Sequence, residues 1–237
     1  MRASLVLPCY NEAASLGKLI DRCERVFDRT SIQVIFVDNG SSDDTPAILS
    51  RLEHPNLKHI RVPVNQGYGY GILCGLKAAD TPILSWSHAD LQTDPKDVLT
   101  AYQMMMESPS PETTFIKGHR YGRAMSDTAF TVGMSVFESI LMQSRLWDIN
   151  AQPVMFHQQF FHAWHHAPKD FALDLYAFHQ ARTQGLTVKR FPVHFGKREH
   201  GTSHWNVDWA SKWRFIRRTV EYSWALKRAQ AKKSLTL

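Results

Sequence analysis

The 237-residue chain carries 43% hydrophobic and 21% charged residues, the balance of a folded soluble protein with room for one large domain. Its net charge of +6 and isoelectric point of about 9.3 suit a phosphate-bearing partner, whether nucleotide, nucleic acid or anionic lipid, and its three cysteines, Cys9, Cys23 and Cys74, lack CxxC spacing and argue against a disulfide framework. No run reaches the roughly 18 apolar residues needed to cross a bilayer, and Leu5-Val6-Leu7 before Pro8 is too short for a signal peptide, so a cytoplasmic location is expected.

Residues 3–8 read as a short buried strand ending in Pro8-Cys9-Tyr10-Asn11-Glu12. A helix follows, with Leu16, Leu19, Ile20, Cys23 and Phe27 at helical spacing. Residues 32–37 form a second strand, and Asp38-Asn39-Gly40-Ser41-Ser42-Asp43-Asp44-Thr45-Pro46 turns into a helix reaching about Leu52. Residues 57–62 give a third strand. Gly67, Gly69 and Gly71 then open a helix to about Ala79; their GxGxG spacing is not the dinucleotide fingerprint and points to a tight turn or close helix packing.

A fourth buried strand, beginning at Ile83, empties into a polar loop carrying His88, Asp90 and Gln92. Asp94-Pro95 restarts the chain as a helix over 94–107. The order βαβαβαβα predicts a parallel sheet with helices on both faces, whose ligands gather at the carboxyl ends of the strands. Asp90 and Gln92 supply oxygen donors for a hard cation such as Mg²⁺ or Mn²⁺. A polar loop with an ordinary helix cap is the plainer alternative.

The second half is less regular. Residues 113–118 look like a strand leading to Lys117, Arg120 and Arg123, and 127–144 like an amphipathic helix with Phe130, Met134, Phe137, Ile140 and Leu141. The segment 157–166 is dense in histidine and aromatics. His162 and His166 lack a carboxylate or cysteine companion, so the segment reads as a lid or interfacial stretch, with Phe160, Phe161 and Trp164 facing inward or toward lipid. A helix over 170–184 ends at Gly185, and 186–195 alternates as a strand. Asp170 and Asp174 stand four apart, which puts both on one helix face. One of them could orient an acceptor or act as a base; the alternative is an N-cap Asp170 and a solvated Asp174. The chain closes in a basic helix, about 207–232, with Trp209, Trp213 and Trp224 among lysines and arginines. It suits a membrane surface, a partner subunit or plain packing with a solvated basic face. Without repeats or low-complexity linkers, the expected layout is one domain over 1–206 and a tail over 207–237.

Three strand ends carry the polar groups: Tyr10/Glu12, Asp38/Asn39 and Asp90/Gln92. Neighbouring strands lie about 4.8 Å apart, so these ends can converge on one ligand. Glu12 and Asp38 can accept hydrogen bonds from a base or ribose, and Asp90 can hold a cation against a diphosphate. That is a nucleotide site of acidic type rather than a phosphate-cradling P-loop.

With these motifs in view, the chain resembles a family 2 glycosyltransferase of the GT-A fold, in the branch that transfers sugars to dolichyl and polyprenyl phosphates. The resemblance rests on Leu7-Pro8-Cys9-Tyr10-Asn11-Glu12, Val37-Asp38-Asn39-Gly40-Ser41-Ser42-Asp43, Asn65-Gln66-Gly67, His88-Ala89-Asp90-Leu91-Gln92 and Arg198-Glu199-His200-Gly201-Thr202-Ser203, and spans residues 3 to about 206. It implies a Rossmann-like α/β domain with a mostly parallel sheet. It implies that Pro8, Tyr10, Glu12 and Asp38, with Asn39 and Lys117 counted beside them, bind the nucleotide of a GDP-, UDP- or dTDP-linked sugar. Asp90 and Gln92, with His88, would hold a divalent cation (Mg²⁺ or Mn²⁺) and the diphosphate. Arg120, Arg198 and Ser203 would contact substrate. The chain departs from the family where His88-Ala89-Asp90 replaces Asp-Ala-Asp, Asp38-Asn39 replaces Asp-Asp, and His204 replaces lysine. Imidazole suits Mn²⁺ or Zn²⁺ better than Mg²⁺.

The expected reaction is inverting sugar transfer to a polyprenyl phosphate, by a protein peripheral on the inner face of the membrane and in contact with its surface or a small membrane partner. Transfer to a saccharide hydroxyl, which needs a general base, is the second reading. A catalytically weak nucleotide-sugar binder is the third. A nucleic-acid partner is not expected, because the aromatic and basic motifs of RNA-binding folds are missing.

Overall fold

The computed structural model describes residues 1–196 and 217–228. Seven strands form one sheet: β1 Ala3–Cys9, β2 Ile32–Asn39, β3 Leu57–Val62, β4 Ile83–Trp86, β5 Thr114–Tyr121, β6 Val154–His157 and β7 Thr187–His194, in the spatial order β3-β2-β1-β4-β6-β5-β7. Every pairing is parallel except those of β6 with β4 and β5. The expected mostly parallel sheet is thus present, with one reversed strand that the sequence analysis did not assign. Its four residues, three of them apolar, are too few to show a period, and only its pairing with β4 and β5, as in Ile83↔His157 and Phe115↔Phe156, defines β6.

Alternation along the central strands feeds two cores, one on each sheet face. Leu5, Leu7, Val34 and Phe36 pack with Leu16, Leu19 and Phe27 of α1 (Ala13–Phe27) and with Val98, Ala101 and Met105 of α4 (Lys96–Met106). Val6, Ile35 and Val37 face the other way, onto Ile72 and Leu76 of α3 (Tyr68–Ala78) and Leu173, Tyr176 and Ala177 of α7 (Ala172–Thr183). Close helix packing explains the glycines. A Cβ at Gly75 would lie 2.3 Å from Val6 Cγ1, and one at Gly69 would lie 2.6 Å from the Asp170 carbonyl oxygen. A short α2 (Thr45–Leu49) follows β2.

Between β5 and β7 lie α5 (Met125–Leu141) and a short α6 (Gln158–His162). Phe160 is buried, and Trp164 packs on Trp86, Phe156 and Tyr176, so the aromatic segment joins the second core from within. Gly185 adopts φ +74° just past α7, where its N–H reaches the Arg182 carbonyl, as expected of a helix-ending glycine. A last helix, α8, spans 217–228, with Tyr222 and Leu226 against the second core. The expected boundary between 206 and 207 lies outside the described residues.

Candidate active site

The carboxyl ends of β1 and β2 are adjacent, Cys9 pairing with Asp38, and their loops are stitched together. Asn11, at φ +55°, donates its N–H to Ser41 Oγ (3.0 Å) and accepts from the Ser42 N–H (2.8 Å). Glu12 N–H meets Thr45 Oγ1 at 3.0 Å and Ala13 N–H meets Asp43 Oδ2 at 3.1 Å. Asp38 is fully buried. Its Oδ1 accepts from Ser41 N–H at 2.9 Å and its Oδ2 lies 3.3 Å from Arg61 Nε. Asn39 is buried too, donating to the Gly67 carbonyl at 2.9 Å. Asp38 and Asn39 therefore shape the cradle from below. Tyr10, which is exposed, and the partly exposed Pro8 and Glu12 face its surface.

The loop after β4 forms the neighbouring wall. Asp90 is buried and its Oδ1 accepts from Gln92 N–H at 3.1 Å across Leu91, which sits at φ +59°. Gln92 is clamped to the chain beyond β7: its Nε2 donates to Gly196 O at 3.1 Å, and Gly196 N–H returns a bond to Gln92 O at 2.9 Å. The His88 ring lies edge-on to Phe195, 6.0 Å between centroids. Among the described residues no group of three or more His, Cys, Asp or Glu side chains could enclose a metal. The donor set instead fits a cation held from one side, by Asp90 and His88, with the remaining positions left to ligand oxygens or water.

Deeper in the site, the structure revises the aspartate pair. α7 begins at Ala172, so Asp170 precedes the helix and shares no face with Asp174. Asp170 Oδ1 accepts from Ala172 N–H at 3.0 Å, and its Oδ2 pairs with Arg218 of α8 at 2.9 Å. Asp174 is not solvated but buried, beneath Trp86 Nε1–H (3.3 Å) and Gln152 Nε2–H (3.5 Å), and Gln152 also bonds the Tyr68 hydroxyl. Burial pushes the Asp174 carboxyl up, against the pull of Lys117 and His88. Lys117 is likewise corrected. It is wholly buried, its Nζ donates to Ala151 O at 2.6 Å, and burial brings its amine down to about 7. Its side chain is enclosed by the protein rather than presented at the surface of the cradle.

Arg120 is not an open cation either. Its Nε and an Nη donate to Asp148 Oδ1 at 2.9 and 2.5 Å, and its own N–H meets Asp148 Oδ2 at 2.8 Å. Arg123 and Arg190 stand 3.8 and 3.9 Å from the same buried carboxylate. Burial alone would raise the Asp148 carboxyl, but the charge and hydrogen bonds of Arg120, helped by Arg123, hold it below the ordinary value. Three guanidinium groups on one carboxylate leave net positive charge beside Gln152 and Asp174. No local spacing marks Asp148 in the sequence, since its partners Arg120 and Arg190 lie 28 and 42 positions away. Arg198, Ser203 and His204 lie outside the described residues.

Comparison with known proteins agrees with this fold. The model of "Glycosyl transferase family 2" matches residues 4–168. The undecaprenyl-phosphate 4-deoxy-4-formamido-L-arabinose transferase of Sodalis glossinidius is 33% identical over 104 residues, 41% of this chain and 31% of that protein. Its Pseudomonas syringae counterpart is 32% identical over 100 residues, 40% of this chain and 30% of that protein. The matches thus span less than a third of these relatives' length. Among solved structures, glucosyl-3-phosphoglycerate synthase from Mycobacterium tuberculosis, in complex with Mn²⁺, UDP and glucosyl-3-phosphoglycerate, aligns with a TM-score of 0.67 at 17% identity, covering 85% of this chain and 73% of that one. A mannosyltransferase from Pyrobaculum calidifontis, in complex with GDP-Man and Mn²⁺, aligns at 0.64 and 18%, covering 84% and 58%. These structural likenesses establish a shared fold.

Proposed function

The chain belongs to glycosyltransferase family 2, and from that premise we propose that it moves a sugar from a nucleoside-diphosphate sugar to a polyprenyl phosphate. The observation that carries the reading is the convergence of the β1, β2 and β4 carboxyl ends on one cradle, with the Arg120–Arg123–Arg190 cluster beside it. Tyr10 and Glu12 hold the base and ribose, with Asp38 and Asn39 fixing their loop. Asp90 and His88 would hold a divalent cation, which when bound offsets charge on the diphosphate. A phosphate acceptor is already an oxyanion at neutral pH. One of its oxygens attacks the anomeric carbon, the bond to the diphosphate breaks on the opposite side, and the nucleoside diphosphate departs with the electron pair. No residue need remove a proton. The excess positive charge around Asp148 draws the acceptor phosphate. The named relatives, which act on undecaprenyl phosphate, support this choice. We place the protein at the inner membrane face, where such acceptors and nucleotide sugars meet.

One observation favours a second reading. Asp174 is a carboxyl whose proton affinity burial has raised, a property suited to a general base for a hydroxyl acceptor. Incubation with labelled UDP-, GDP- and dTDP-sugars, a divalent cation and undecaprenyl phosphate decides between them. The expected product is label in the organic phase as an acid-labile sugar phosphodiester. Label appearing only on hydroxyl acceptors would overturn the lipid-phosphate reading.

A further inference from the structure

Helix α5 turns its charged residues inward, beside Leu141, and leaves an apolar arc outside. Its only charged residues, Asp127 and Glu138, lie on the face that also carries Thr131 and Ser135, at spacings of four, four and three. That face turns inward: Thr131 Oγ1 accepts from Arg123, Ser135 Oγ accepts the Asp148 N–H, and Glu138 and Ser135 are buried. The opposite face carries Met125, Ala129, Gly133, Val136, Phe137 and Ile140, an arc without a single charge. It points to solvent, Met125 being 89% exposed, Ile140 73%, Val136 48% and Phe137 39%. A surface helix normally does the reverse. The polar side is already matched to the Asp148 loop, so rotating the helix to hide Phe137 and Ile140 would strip those bonds. The apolar side is left for something outside the chain.

The neighbouring helix says what. α8 adjoins α5 through Ser223, whose side chain lies beside Glu138, and through Thr219, which lines the same cleft as Glu138 and Met134. It bears Arg217, Arg218, Lys227 and Arg228 against the single acid Glu221, and its Trp224 is 48% exposed. Apolar side chains flanked by arginine, lysine and tryptophan match the two layers of an anionic lipid interface. Arg217 pairs with Glu221 and Arg218 with Asp170, which leaves Lys227 and Arg228 as the basic excess beside the apolar strip, a combination that a second protein surface would answer only if it were itself acidic. Among the described residues no helix is long and apolar enough to cross a membrane, so the contact would lie along the surface.

We propose that the outer face of α5, rimmed by the basic residues of α8, is the surface on which the protein docks onto an anionic membrane. The cleft between α5, α7 and α8, with Arg120 among its lining residues, then opens beside that surface. The inference extends the acceptor reading and rests on it only for its purpose, because the binding itself needs no acceptor.

The test is flotation of the full chain with phosphatidylcholine vesicles containing roughly a quarter phosphatidylglycerol, free of polyprenyl phosphate and nucleotide sugar. A failed transfer assay therefore leaves this test standing. The wild-type protein should float, and the Phe137→Glu/Ile140→Glu variant should lose about tenfold in bound fraction while keeping its thermal midpoint and nucleotide affinity. Ile140→Trp, which keeps the face apolar, should bind at least as well as wild type. The proposal is overturned if wild type does not float, or if the double-glutamate variant floats equally. It is also overturned if lipid-free wild type is a dimer that this variant splits, since the face would then belong to a second copy.

Discussion

Two helices of similar length pack on this sheet with opposite logic. α1, 15 residues, buries Leu16, Leu19, Ile20, Cys23 and Phe27 and shows its charges to water. α5, 17 residues, buries Ser135, Glu138 and Leu141 and shows Met125, Val136, Phe137 and Ile140. Both carry apolar residues at helical spacing, so periodicity announces each helix equally well. What it cannot give is which face meets the protein. In α1 the apolar face meets an apolar sheet. In α5 the decision lies with the Asp148 loop: the Asp148 N–H bonds Ser135, and Arg123, one of three arginines gathered around the Asp148 carboxylate, bonds Thr131.

The sharpest way to break the comparison is to remove the group that turns α5. Asp148→Ala leaves the guanidinium groups of Arg120, Arg123 and Arg190 without their shared counter-charge. It should cost about 3–5 kcal/mol in denaturant unfolding, the usual penalty for orphaning buried charge. A loss below about 1 kcal/mol would mean that water compensates the arginines and that Asp148 does not hold the helix.

Next in size is the contrast between the faces themselves. Leu16→Ala opens a cavity in the first core and should cost about 2–5 kcal/mol. Ile140→Ala, on the exposed face of α5, should change stability by no more than about 0.5 kcal/mol. Equal losses would show that Ile140 is packed in solution, contrary to its exposure here.

A smaller effect carries a diagnostic sign. Burial pushes the Glu138 carboxyl from an ordinary 4.5 up to about 7, opposed by the Ser223 side chain. Between these values the folded state binds more protons than the unfolded one, so stability falls as pH rises from about 4.5 to about 7 and levels off above. At 1.36 kcal/mol per pKa unit the ionised carboxylate costs on the order of 3 kcal/mol. Asp148 has the opposite sign: its carboxyl is held low, so its contribution is present at neutral pH and lost in acid. Melting Glu138→Gln beside wild type across pH 4–8 isolates the first term. The variant should match wild type at low pH and exceed it at neutral pH, and parallel curves would refute the assignment.

The same contrast explains how much could be read from sequence. The strands at 3–8 and 32–37 are legible because buried parallel strands are nearly continuous apolar runs between turn signals. The converging ends Tyr10/Glu12, Asp38/Asn39 and Asp90/Gln92 follow from that order alone. Burial of the side chains does not. Lys117 reads as a binding lysine until Phe178 and Ala151 enclose it. Asp170 and Asp174 share a face only if the helix already runs at 170, and Asp170 instead bonds to the Ala172 N–H that opens it. The Asp148 cluster draws its members from three separate segments, and no local spacing records their meeting.

The central claim is that the loop after β4 and the joined β1 and β2 loops form one cation-assisted nucleoside-diphosphate site. Calorimetric titration of UDP, GDP and dTDP into wild type and Asp90→Ala, each with and without Mn²⁺, tests it most directly. Wild type should bind at least one of them with an affinity that Mn²⁺ raises. Asp90→Ala should bind that ligand at least tenfold more weakly, a loss of about 1.4 kcal/mol, and should no longer respond to the metal. Identical affinity and metal response in the two proteins would place the nucleotide elsewhere and contradict the account.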